Sequence, residues 1–199
     1  MLRRYQMDLS LPPHLRKILS VQGALGREEA NLLYELAANV KGSCIVEIGS
    51  YRGKSTVALA MGSQLGHLAP VYALDPHESF IGAVGGEFGP DDRIAFFRNI
   101  LRTDCGEIVR LVNLPSQMVA LSWAKPIGLL WLDGDHSYDA VKSDFFGFSP
   151  YVIPGGFVAF HDSLDQELGP AQVIGEAVKS SDYEQIAQIE LTTVLRKKP

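Results

Sequence analysis

Ile45-Val46-Glu47-Ile48-Gly49-Ser50-Tyr51-Arg52-Gly53-Lys54-Ser55-Thr56 runs from an apolar stretch, through two glycines, into residues suited to a helix start. The run Cys44–Ile48 after the Gly42-Ser43 break reads as a buried strand. Glycines at the turn that follows let backbone approach a ligand, while the N–H groups of the next helix point outward. In an open α/β sheet such a turn lies beside the crevice where ligands bind. The stretch therefore predicts both a fold class and the place of its site.

Working outward, helical spacing of Ala30, Leu33, Leu36 and Ala37 predicts an amphipathic helix within Gly26–Val40. Ser55–Met61, Asp91–Thr103, Tyr138–Phe146 and Gly169–Ser180 read as further helices, with a short one over His14–Leu19. Val71–Leu74, Val109–Leu114, Ile127–Leu132 and Gly156–Phe160 read as strands, and Tyr183–Ile189 with Leu191–Arg196 as an antiparallel pair. Gly82–Pro90 reads as a long loop, expected with the N-terminal arm to close over the site. The alternation predicts a Rossmann-like three-layer αβα sandwich: a mainly parallel sheet of about seven strands with an antiparallel C-terminal strand. Residues 1–25 form an N-terminal arm or cap and 26–199 the main domain.

Eighteen basic against twenty-three acidic residues give a net charge of −5, with no long basic run. That argues against a nucleic-acid partner. Cys44 and Cys105 are isolated, which fits neither a disulfide framework nor a cysteine zinc site. No apolar run reaches the roughly 18 residues of a membrane span. A cytoplasmic protein acting on a small molecule is expected, and a homodimer is compatible with the sequence.

Two nucleotide-fold readings of the glycine loop must be weighed, beside that of an ordinary tight turn. Gly49 to Ser55 imitates a P-loop but holds three residues between its glycines, not four. A P-loop wraps phosphate with successive amides, so the missing residue matters. A dinucleotide fingerprint fails because position 51 is Tyr. Two further clusters, Asp133-Gly134-Asp135-His136 and His161-Asp162, each follow an apolar strand. Both should open into one crevice, where Asp133, His161 and Asp162 converge on a divalent cation. Carboxylates suit Mg²⁺ or Mn²⁺, and the imidazole tilts the choice toward Mn²⁺ or a later metal. The alternative is that both aspartates cap the following turns.

Glu47-x-Gly49-x-x-x-Gly53 after an apolar strand resembles motif I of class I S-adenosylmethionine-dependent methyltransferases. The wider string is similar to metal-dependent O-methyltransferases of the catechol type and to methyltransferases grouped with cephalosporin-hydroxylase-like proteins. The resemblance spans Ala30 to Ser163. It implies S-adenosyl-L-methionine as cofactor, with Glu47, Gly49, Ser50 and Ser55 around its methionine end and Tyr51 and Gly53 in the same loop. Asp75 would accept from the ribose hydroxyls, and Ser116-Gln117 would contact the adenine. Asp133 would serve both cofactor and metal. His136 falls where the catechol-type enzymes carry a lysine base, and a histidine can do that work. The metal triad of those enzymes is an Asp followed by Asp-Asn, and this chain departs from it with His161-Asp162. O-methylation, assisted by metal, is the activity the resemblance implies. A P-loop NTPase and a non-catalytic cofactor-binding module of the same fold are the alternatives.

Overall fold

The computed structural model describes residues 11–82 and 85–199. The expected arm therefore lies partly outside the described residues. Its later part forms helix α1, Pro13–Leu19, whose Leu15 and Ile18 are buried in the core. Helix α2 follows at Arg27–Ala38, then strand β1 at Cys44–Ile48, helix α3 at Lys54–Leu65 and strand β2 at Val71–Leu74. The stretch expected to be loop carries a small hairpin, β3 at Phe80–Ile81 and β4 at Glu87–Phe88, held by stacked Phe80 and Phe88 rings 4.8 Å apart. Next come α4 (Pro90–Arg102), β5 (Val109–Val112), α5 (Ser116–Ala120), β6 (Ile127–Leu132) and α6 (Tyr138–Phe148). Strand β7 (Val152–Phe160), helix α7 (Gly169–Lys179) and strands β8 (Tyr183–Ile189) and β9 (Thr192–Lys197) complete the order.

Seven strands form one sheet in the order β5-β2-β1-β6-β7-β9-β8. All neighbours are parallel except β9, which runs antiparallel to both β7 and β8. This is the Rossmann-like sandwich expected from the alternation. Strands β1 and β6 are buried at every position, which is why they read as continuous apolar runs rather than alternating ones. Alternate residues still serve opposite faces. Ile45, Leu129, Trp131 and Ala159 pack with α1 to α4, whereas Val46, Leu130, Leu132 and Phe160 pack with α6 and α7. Two cores thus clamp the sheet and hold its carboxyl edge rigid. Among the described residues no helix is long and apolar enough to cross a membrane.

Candidate active site

The carboxyl ends of β2, β1, β6 and β7 open into one cavity of about 450 Å³. Its floor is the glycine loop. Gly49 has φ +84°, and a Cβ there would lie 2.1 Å from the carbonyl oxygen of Asp133. Only glycine permits both the left-handed backbone and the close approach of the two strand ends. Gly49→Ala is expected to cost about 3 kcal/mol or more, from overpacking and left-handed strain together; a drop in urea midpoint at constant slope measures it.

Asp75 holds this loop from the side. Its Oδ2 accepts from the backbone N–H of Ser50 at 2.9 Å and of Tyr51 at 2.8 Å, and its Oδ1 from the N–H of His77 at 2.8 Å. His77 in turn donates from Nε2 to the Tyr51 carbonyl at 2.8 Å, which leaves its buried Nδ1 without a partner. The loop is therefore braced from both sides by residues at the end of β2.

Gly49, Ser50, Tyr51, Ser55, Asp75, Ser116, Gln117, Asp133, His136, His161 and Asp162 all line the cavity. Glu47 and Gly53 lie behind the wall. Gly53 faces Phe96, and Glu47 is fully buried beneath the loop, where Thr56 Oγ1 donates to its Oε2 at 2.5 Å. Burial pushes the Glu47 carboxyl up to about 8, against the hydroxyls of Ser55 and Thr56 that favour the anion. An ordinary glutamate titrates near 4.5. The native state therefore binds a proton that the unfolded chain releases between those values, so this contribution to stability falls as pH rises. The loss between pH 6 and pH 8 is about 2 kcal/mol. Glu47→Gln is expected to flatten that decline, as urea melts at the two pH values would reveal; an unchanged slope would assign the decline to another group.

At the adenine end expected from the sequence, Ser116 Oγ donates to Asp144 Oδ1 at 2.5 Å. Burial raises the Asp144 carboxyl to about 6. Lys54, the lysine of the P-loop reading, lines the cavity and donates from Nζ to the Gly23 carbonyl at 3.2 Å.

The opposite end holds the acidic cluster. Asp133 follows β6, His161 and Asp162 follow β7, and Asp162 adopts a left-handed φ of +47°. His161 Nδ1 lies 3.0 Å from Asp133 Oδ1 and 3.3 Å from Asp162 Oδ2. His136 Nε2 lies 3.3 Å from that Asp162 oxygen and 3.7 Å from Asp133 Oδ1. These approaches have ionic distance but not the alignment of hydrogen bonds, and His136 Nε2 and both His161 nitrogens are buried without hydrogen-bond partners. Ligands about 2.1 Å from one cation sit about 3.0 Å apart at right angles, close to the spacings of His161 Nδ1 from Asp133 Oδ1 and Asp162 Oδ2. Without a cation, burial would lower the His161 imidazole, but Asp133, Asp162 and Glu29 outweigh it and push it up to about 12. His136 shifts up as well: Asp133 and Asp162 overcome the opposing effect of burial. The cluster calls for positive charge in either state.

Two residues of this architecture escape a linear reading. Glu29, on the face of α2 that seemed merely polar, is buried and lies 3.5 Å from His161 Nε2. His77, which lies two residues beyond Asp75, braces the loop.

A family model described as a methyltransferase domain matches residues 46–163. An uncharacterized protein of Acanthamoeba polyphaga mimivirus is 41% identical over 44 residues, which cover 22% of this chain and only 20% of that protein. The structure is similar to an O-methyltransferase from Bacillus cereus solved with S-adenosylhomocysteine (SAH), with TM-score 0.73 and 16% identity over 98% of this chain and 96% of that one. It is also similar to an SAH-bound methyltransferase from Podospora anserina, with TM-score 0.67 and 15% identity, covering 95% and 89% of the two chains. A methyltransferase from Geobacter sulfurreducens matches with TM-score 0.67 and 14% identity over 95% and 91%.

Proposed function

The chain belongs to the methyltransferase-domain family, as a class I S-adenosylmethionine-dependent methyltransferase, and on that premise we propose that it methylates the hydroxyl of a small molecule with the help of a divalent cation. The observation that carries this reading is the meeting of Asp133, His136, His161 and Asp162 at the cofactor cavity, with their ligand atoms within 4.8 Å of one another. An amine acceptor would need the cation and the base less.

S-adenosylmethionine supplies the sulfonium methyl group. Ser55, at the start of α3, meets its carboxylate, where helix N–H groups favour an anion. Asp75 Oδ2 is filled by loop amides, but Oδ1 takes one backbone donor and has room for a ribose hydroxyl. Ser116 and Gln117 border the adenine. Asp133, His161 and Asp162 hold the cation, Mg²⁺ or Mn²⁺, which when bound lowers the pKa of a nearby hydroxyl.

The two histidines divide the work by exposure. The His161 side chain is 4% exposed and that of His136 12%, with His136 Nε2 itself buried beside Asp162, so we assign the deeper His161 to the cation and His136 to the base. His136 Nε2 would take the proton of the acceptor hydroxyl, whose oxygen would receive the cofactor's methyl group. Holding both reactants in this crevice, away from water, supplies roughly 7–11 kcal/mol of the barrier reduction.

The test is calorimetric titration with SAH in EDTA and again with Mn²⁺, beside an ATP control. Micromolar SAH binding, no ATP response and separate Mn²⁺ binding are expected. ATP binding without a response to SAH would overturn the cofactor assignment; SAH binding without Mn²⁺ binding would remove only the cation.

A further inference from the structure

Glu29 lies outside the family-matched stretch, on the first turn of α2, and is 2% exposed. Its Oε2 accepts from the Gly26 N–H at 3.0 Å, closing the helix cap. Its Oε1 accepts from Thr192 Oγ1 at 2.8 Å and from the Leu191 N–H at 3.2 Å, both in the turn into β9. Three donors thus fix the carboxylate without the help of His161. Yet Oε1 also stands 3.5 Å from His161 Nε2, an ionic distance without hydrogen-bond alignment that a small turn of the ring would close, on the side of the ring away from Asp133 and Asp162.

The His161 ring is therefore flanked on both edges. Nδ1 looks into the cluster and Nε2 looks at an anchored carboxylate. A neutral imidazole carries one N–H, and only the nitrogen without it can donate a lone pair to a cation. A histidine ligand commonly gives its outer N–H to a carboxylate, which sets tautomer and ring direction.

We propose that Glu29 is a positioning residue of the cation site: it holds the proton of His161 on Nε2 and so presents Nδ1 as a ligand atom. This rests on the cation reading above and extends it to a helix outside the family-matched core. The N-terminal helices thereby become part of the site, linked to it through one ring.

The test starts with the unaltered chain. Mn²⁺ affinity, read from the EPR signal of free Mn²⁺, establishes the cation site; no binding would end the cation reading and this inference together. With Mg²⁺ bound, ¹⁵N NMR of the His161 ring is expected to show the Nε2–H form. An Nδ1–H form would overturn the proposal without any variant. Glu29→Gln is expected to weaken Mn²⁺ binding by about 10–100-fold. Thr192→Val, which removes one of the donors but leaves the carboxylate, should stay within about threefold of the parent. In a His161→Asn background the Glu29 substitution should cost nothing further, since the ring it orients is gone. If Glu29→Gln leaves Mn²⁺ affinity within about twofold, or weakens it equally with and without the ring, Glu29 is a structural cap only.

Discussion

Asp75→Asn lowers SAH affinity by about 10²–10³-fold, the largest effect expected of any single change at the cofactor end. The carboxylate accepts three backbone N–H groups, two on Oδ2 and one on Oδ1. An asparagine must turn its NH₂ toward either the Ser50 and Tyr51 amides or the His77 amide. Either choice sets donor against donor in a partly buried place, at about 1–3 kcal/mol for each orphaned group. The loop then loses the shape that receives the cofactor, and a ribose hydroxyl loses a charged acceptor. Together these reach about 3–4 kcal/mol, or two to three decades of affinity. Calorimetry measures it. A loss below threefold would mean that the His77 brace alone holds the loop.

Asp162→Asn is expected to lower Mn²⁺ affinity by more than the roughly 100-fold typical of an outer-shell partner, while SAH binding in EDTA stays within about threefold. Asparagine is chosen because position 162 has φ +47°, which Asn tolerates, so loss of charge is separated from loss of fold. The aspartate oxygen approaches both histidines at 3.3 Å, so its charge is shared by the whole cluster. Asp133 is a poorer target, since its backbone also closes against the glycine loop. Equal Mn²⁺ affinity in parent and variant would place the cation elsewhere.

Strands β1, β2 and β6 coincide with their sequence-based limits, because each is an apolar run ended by glycine or a charged residue. Strand β7 begins at Val152, four residues before the expected Gly156. Pro154-Gly155-Gly156 interrupts the apolar pattern, while Val152 still pairs with Ile127 across a register shift. Helix α5 is five residues long and was read only as the turn carrying Ser116 and Gln117. The short β3–β4 hairpin was hidden by its glycines. At the site, Asp133, His136, His161 and Asp162 were legible because each follows a strand whose end must face the crevice. Glu29 was not. Apart from the Gly26 amide of its own helix cap, its partners stand more than 130 residues away in the chain, and helical periodicity says only that it is off the apolar stripe.

The hydrogen bond from Thr192 to Glu29 joins groups 163 residues apart. Closing so wide a loop is entropically costly, and contacts of this kind form late when a chain collapses. Strands β8 and β9 pair locally as a hairpin, but that hairpin must find the edge of β7 before Thr192 can reach α2. The parallel strands β1, β2 and β6 can assemble first. In refolding, backbone circular dichroism should therefore recover before competence to bind Mn²⁺, with a native-looking sheet that cannot yet hold its ion.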